Sequence, residues 1–248
     1  SKGCSIYVDH RKENYKDDQI FRFRPKVNKN VNGHFICDEG RLSYTNEANN
    51  RFETPLVNKN ETNVDNTITN MFKELTTNKN ILFVLSANLS IEEMQNVKNL
   101  ASKLNVDVSG YSPNTFDESF ADDYLRTNDR TANRAAFKEL QIDESKEYFD
   151  EKLNKASLVI IVENSYFENN ANLLENKKVI SLFSHHCMTI GYSNVAIPVA
   201  SFYEKSGTYI NINGIKQKVI SKMNKNNPMQ SITTVIEDLK SMIEKGTV

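Results

Sequence analysis

Two apolar runs, Ile81-Leu82-Phe83-Val84-Leu85 and Leu158-Val159-Ile160-Ile161-Val162, constrain this chain more than any other feature. Each has strand length and carries no polar residue on either face. That is the pattern of a strand buried on both sides, as in a parallel sheet covered by helices. Parallel strands need crossover connections, and the sequence supplies them. After the first run, Ser90 and Glu93 form a capping-box pair ahead of a stripe at Ile91, Met94, Val97, Ala101 and Leu104. Lys178–Phe183 and Val195–Val199 read as further strands, with a short helix expected over Asn169–Glu175. Helical spacing also marks Val64–Leu75 (Val64, Ile68, Phe72, Leu75), residues 130–140, residues 145–154 and Ile232–Ile243. The expectation for residues 64–248 is a doubly wound, mostly parallel α/β domain.

Residues 1–50 read differently. Ser5–Val8, Ile20–Arg24 and His34–Cys37 are short runs rich in β-branched and aromatic residues, and Phe21 and Phe23 alternate with Ile20, Arg22 and Arg24. Asp17-Asp18 and Asn32-Gly33 are turn signals between them, and Glu39-Gly40 ends the last run. This predicts a small β-rich module without helices. Residues 51–63 are polar and contain Pro55, which reads as a linker.

Composition removes several function classes. The 31 basic and 32 acidic side chains leave a net charge of -1, so no basic face is expected for nucleic acid. The longest apolar runs fall far short of the ~20 residues of a membrane helix, and no secretory signal opens the sequence. Three cysteines cannot build a paired disulfide framework, which favours a reducing compartment. There is no P-loop and no G-x-G-x-x-G, hence no nucleotide site of its own. Trp is absent and hydrophobic residues make up 38%, a low share that points to a chain leaning on partners.

Gly3-Cys4 and Cys37-Asp38-Glu39-Gly40-Arg41 are the residues best suited to chemistry. Glycine lets backbone amides approach a cofactor, and thiolates ligate iron–sulfur clusters whose potential those amides tune. On spacing alone the two cysteines read first as small buried hydrophobes, because two are too few for a four-ligand cluster. His185-His186-Cys187 reads as a strand end: adjacent residues cannot all face one metal, and no second Cys/His pair completes a tetrahedral set. His10 reads as a surface histidine, and Glu92-Glu93 as a favourable first helical turn.

The stretch from Gly3-Cys4 through Phe21-Arg22-Phe23-Arg24-Pro25, Asn28 and Val31-Asn32-Gly33 to Cys37-Asp38-Glu39-Gly40-Arg41 and Tyr44 resembles a known module. It is the iron–sulfur module of the large peripheral subunit of respiratory complex I, which is shared with molybdopterin oxidoreductases such as formate dehydrogenase. That family holds a [4Fe–4S] cluster with Cys-x2-Cys-x3-Cys and a later cysteine in a C-x-x-G-R context. Cys4 matches the third ligand and Cys37 the fourth. The family spacing puts the second ligand immediately before Ser1, so the resemblance implies two further cysteines upstream and a chain truncated at its amino terminus. In the molybdenum enzymes the position of Glu39 is commonly Lys, and an acid there favours the complex I branch.

A second block, Ala196 to Gln217, resembles the family segment L-P-x-x-x-F-x-E-K-x-G-T-x-x-N-x-E-G-R-x-Q. Glu204, Lys205, Gly207, Thr208, Asn211, Gly214 and Gln217 match, while the E-G-R triplet is replaced by Asn213-Gly214-Ile215. The region helps line the pterin in catalytic relatives, whereas in complex I the domain is a scaffold. The resemblance therefore implies an electron-relay subunit of NADH:quinone oxidoreductase with Cys4 and Cys37 as cluster ligands and no molybdenum. It implies a reduced molybdopterin-oxidoreductase-like scaffold over 64–248. The implied partners are the NADH/flavin subunit and a ferredoxin-like subunit, on the cytoplasmic face of a bacterial inner membrane. A molybdopterin-dependent oxidoreductase and a cluster-free structural subunit remain the alternatives.

Overall fold

The computed structural model describes residues 2–11, 18–223 and 229–246. The chain opens with an antiparallel pair, β1 (Ile6–Arg11) and β2 (Gln19–Pro25), whose register slips between Asp9 and His10. That slip breaks the period-two alternation. Ile20 and Phe23, three apart, are both buried, while Phe21 and Arg22 face outward. The core here is small: Ile20, Phe23 and Tyr203, with Phe23 edge-on to Tyr44 and Phe202. Asp17 of the expected turn lies outside the described residues.

The expected third strand at His34–Cys37 does not form. Asn32 takes its place in the hydrogen-bonding account, receiving Ser5 N–H on Oδ1 and donating through Nδ2 to the carbonyls of Lys26 and Phe35. A side-chain amide thus satisfies groups that a strand ladder would have used. Cys37 instead caps α1 (Asp38–Leu42), which runs directly into α2 (Tyr44–Ala48). The module expected to be free of helices therefore carries two short ones.

Residues 51–63 are likewise more than a linker. Leu56-Val57 (β3) and Asn60-Glu61 (β4) form a tight hairpin, with Asn58 and Lys59 both at positive φ, as a type I′ turn requires. β3 pairs antiparallel with Ala196 and Val195, and Phe52 is buried. An apolar pair as short as Leu56-Val57 gives no periodicity to read, so only the adjacent sheet edge makes it a strand.

The rest of the chain follows the reading from sequence closely. After α3 (Val64–Thr77) come β5 (Ile81–Leu85), α4 (Ile91–Leu104), β6 (Asp107–Ser109), α5 (Ala135–Glu139) and α6 (Lys146–Lys155). Then follow β7 (Leu158–Val162), β8 (Lys178–Phe183), α7 (Met188–Tyr192) and β9 (Val195–Pro198). The sheet runs β4-β3-β9-β8-β7-β5-β6, parallel from β6 to β9. Alternate strand residues feed two cores. Phe83, Leu85, Ile160 and Leu182 meet α3 and α4 on one face, whereas Val84, Ile161 and Val179 meet α6 on the other. Where a helix is expected over Asn169–Glu175 the chain forms a single 3₁₀ turn, Ala171–Leu174, preceded by another at Ser165–Glu168. Asn164 accepts from Tyr166 N–H and Asn170 donates to the Tyr166 carbonyl, local bonds that compete with an α-helix.

The hairpin β10 (Gly207–Ile210) and β11 (Lys216–Val219) lies outside this sheet, and α8 (Ile232–Lys245) closes the fold against α3 and α4. Among the described residues no helix is long and apolar enough to cross a membrane.

Candidate functional site

Cys4 and Cys37 lie 33 positions apart in sequence. The fold brings Cys37 within electrostatic range of Cys4. Burial raises the Cys4 thiol above its ordinary pKa, and the nearby Cys37 raises it further, against the opposing pull of Lys2. Cys37 sits at the N-cap of α1, where its Sγ accepts the Gly40 amide at 3.3 Å. A Cβ at Gly40 would stand 3.3 Å from that sulfur, so the small residue keeps the amide close. Both thiols are half-buried and unbridged. A positive centre bound here would stabilise the Cys4 thiolate, since metal binding requires and favours the deprotonated sulfur. The donor set is two sulfurs, half of what a four-ligand cluster takes. Among the described residues no group of three or more His, Cys, Asp or Glu converges on a metal position.

A second cluster occupies the carboxyl edge of the sheet. The strand order reverses between β5 and β7, the crevice where open α/β sheets bind ligands. Here the crevice is filled by charged side chains of the chain itself. Glu163 follows β7 directly with φ +52°, a left-handed conformation that costs a non-glycine residue strain. The residue remains partly accessible, but its carboxylate is enclosed, and burial raises its pKa against the opposing effects of Lys205 and a bond from Ser184. Lys205 pairs with Glu93 at 2.7 Å, and Arg51 with Glu204 at 2.6 Å, all four side chains being more than nine-tenths buried. Glu47, on α2, reaches the same cluster: burial and the neighbouring Glu163 push it up to about 7.

Three of these residues, Glu47, Arg51 and Glu163, carry no motif and were missed by the sequence reading. The one signal available was position, a carboxylate immediately after a buried strand at the sheet's carboxyl edge. Glu204 and Lys205, by contrast, belong to the block singled out from sequence, and both serve as partners in buried ion pairs. A cavity of about 530 Å³ opens beside them, lined by Glu92, Glu93, Glu204, Lys205, Ser231 and Thr234 among others. Its carboxylates are already engaged: Glu92 accepts the Thr208 amide and hydroxyl, and Glu93 closes the capping box with Ser90.

The other histidines and the third cysteine have structural partners. His185 contacts Ser184 Oγ through Nδ1 and the Glu47 carbonyl through Nε2, and burial lowers its pKa. Burial pushes the Cys187 thiol up to about 11. His10 lies in β1, 3.0 Å from Asp18. Glu39 forms an exposed ion pair with Arg130.

No family model matches the chain. It is similar to the G-type subunit of NADH-quinone oxidoreductase from Rickettsia felis, with 29% identity over 127 residues, 48% of this chain and 18% of that protein. The corresponding protein of Rickettsia conorii is 28% identical over 124 residues, 47% of this chain and 17% of that protein. The chain thus spans less than a fifth of the length of these relatives, a partial and low-identity link to the family. Among solved structures, the formyltransferase/hydrolase complex from Methylorubrum extorquens in complex with methylofuran aligns at a TM-score of 0.43. It has 10% identity and covers 78% of this chain and 100% of that one, a likeness too distant to bear on function.

Proposed function

We propose that this chain is part of an electron-relay subunit of the NADH:quinone oxidoreductase type, with Cys4 and Cys37 supplying two thiolates to a [4Fe–4S] cluster. The observation that carries this reading is that two half-buried, unbridged cysteines from distant parts of the sequence share the amino-terminal module, one of them receiving a glycine amide on its sulfur. The partial similarity to the two rickettsial oxidoreductase subunits supports the same reading independently. A cluster supplies one-electron transfer when bound, and the protein contributes ligands, exclusion of water and electrostatics. The Gly40 amide stabilises negative charge on the Cys37 sulfur, and Ile20, Phe23 and Tyr203 form the small apolar core of the same module. The α/β domain acts as a scaffold for docking to an NADH/flavin subunit and a ferredoxin-like subunit, its switch-point crevice being filled by paired charges.

Metal analysis and visible spectra of the anaerobically purified full-length chain test this. The reading expects iron and sulfide, iron–sulfur absorbance that Cys37→Ala bleaches and Cys187→Ser leaves intact, and no molybdenum. Unchanged absorbance in Cys37→Ala would remove that residue from the ligand set. Molybdenum with pterin in the wild-type chain would instead favour a molybdopterin-dependent oxidoreductase.

A further inference from the structure

The sequence block from Glu204 to Gln217 lies far from Cys4 in the chain, yet its far end touches the cysteine-bearing segment directly. Gln217 Nε2 donates to the Gly3 carbonyl at 2.6 Å, and Gln217 Oε1 accepts from Ser5 Oγ at 2.7 Å. Asn211 Nδ2 donates to the Lys2 carbonyl at 2.9 Å. Asn28 Nδ2 braces the same spot, donating to Ser5 Oγ at 2.9 Å. Residues 2, 3 and 5 are each held, so Cys4 is bracketed on both sides. Gly3 fits the bracket only because it lacks a side chain: φ is +62° and a Cβ would stand 3.0 Å from Asn211 Cβ.

The near end of the block fastens to the sheet. Lys205 pairs with Glu93, and Thr208 donates its amide and hydroxyl to Glu92, both at the first turn of α4. Between the ends, Asn133, anchored on the Leu89 carbonyl, accepts the Ile210 amide at 2.6 Å. Asn211 has a double task. Its Oδ1 accepts the amides of Asn213 and Ile215 and so shapes the turn between β10 and β11, while its Nδ2 reaches Lys2. One contiguous segment therefore ties the rigid sheet edge to the backbone on either side of Cys4.

We propose that Asn211 and Gln217 are positioning residues for Cys4, clamping the backbone on either side of it so that its thiol is held in place as a cluster ligand. The inference deepens the electron-relay reading and rests on it. It gives the 204–217 block a role different from lining a cofactor pocket: it sets the geometry of a thiolate ligand from outside the module.

Asn211→Asp and Gln217→Glu test the clamp without dismantling the hairpin. Each keeps its accepting oxygen, for the 211–215 turn or for Ser5, and loses the donor aimed at the Lys2 or Gly3 carbonyl. In the full-length chain, residue-resolved alkylation by iodoacetamide reads the accessibility of Cys4, with Cys187 as an internal monitor of global unfolding. On metal-free protein, the clamp expects Cys4 labelling to rise roughly tenfold in the double variant with Cys187 unchanged. On iron-loaded protein, it expects altered electron paramagnetic resonance line shape of the reduced cluster and a shifted potential. The exposed neighbour Lys218, changed to Ala, should alter neither reading. Cys4 labelling within twofold of wild type, with an unchanged spectrum and potential, would overturn the proposal. Wild-type chain without iron would overturn the electron-relay reading instead, and the labelling result would then still decide whether the clamp exists.

Discussion

The amino-terminal module and the sheet hold themselves together by different means. The sheet buries Ile81–Leu85 and Leu158–Val162 completely between two layers of helices, so apolar burial suffices. The module buries Ile20 and Phe23 and little else of its own, and its loops are closed by side-chain amides such as Asn28, Asn32 and Gln217. A region with so small a core depends on what it is attached to. Here much of the attachment is polar, with α2 meeting the sheet through the Glu47 cluster and residues 2–5 meeting the β10–β11 hairpin, beside the apolar contact of Phe23 with Phe202 and Tyr203.

The largest effect comes from the sheet. Phe83→Ala, at a fully buried position, should cost about 4 kcal/mol of global stability in urea titration. Phe23→Ala should instead expose Cys4 and Cys37 to alkylation while the main unfolding transition moves little. Equal loss of global stability in the two variants would break the comparison.

The joint between the regions comes next. Lys205→Met removes the counter-charge of Glu93, whose side chain is 3% exposed, and leaves Glu163 without its cation. The expected loss is about 3 kcal/mol near neutral pH, read by chemical denaturation. Its size should shrink on acidification as the stranded carboxylates take up protons.

Glu47 gives the joint a pH dependence of defined sign. Its carboxyl is raised from 4.5 to about 7 in the folded chain. Below the unfolded value both states are protonated and nothing is lost. As pH rises from 4.5 towards 7, only the unfolded state sheds its proton, so stability falls, then levels off. With a quarter of the side chain in water, the loss amounts to about 2 kcal/mol by pH 8. Glu47→Gln should recover that amount at pH 8 and flatten the slope between pH 5 and 7. An unaltered pH profile would show that Glu47 does not feel the cluster.

The smallest effect should come from the amino-terminal bracket. Gly3→Ala places a side chain at φ +62° against Asn211 and should cost about 1 kcal/mol, confined to the module. Hydrogen exchange at the Ser5 amide would register it, with strands β5 and β7 unaffected.

The strands and long helices of the sheet were legible because their signals are long and self-contained. Five apolar residues in a row admit few structures, and Ser90 with Glu93 announces a helix start by its own hydrogen bonds. The failures have equally local causes. His34–Cys37 has strand composition, but Asn32 takes the bonds a strand would need, and Leu56-Val57 becomes a strand only because β9 offers an edge. At the candidate site, Cys4 and Cys37 could be named from their glycine context and family resemblance. Glu163 and Arg51 could not, since an isolated Glu or Arg carries no pattern.

By itself, then, the sequence determined the parallel sheet, its covering helices and the identity of the two thiols, because burial period and residue chemistry are local properties. Only the tertiary structure decided which side chains meet. It brought Cys37 within electrostatic range of Cys4, gathered Glu47, Arg51, Glu163 and Lys205 at the strand reversal, and laid Asn211 and Gln217 against the Cys4 loop. Contacts across more than a hundred residues depend on the path of the whole backbone, and no window of sequence contains that path.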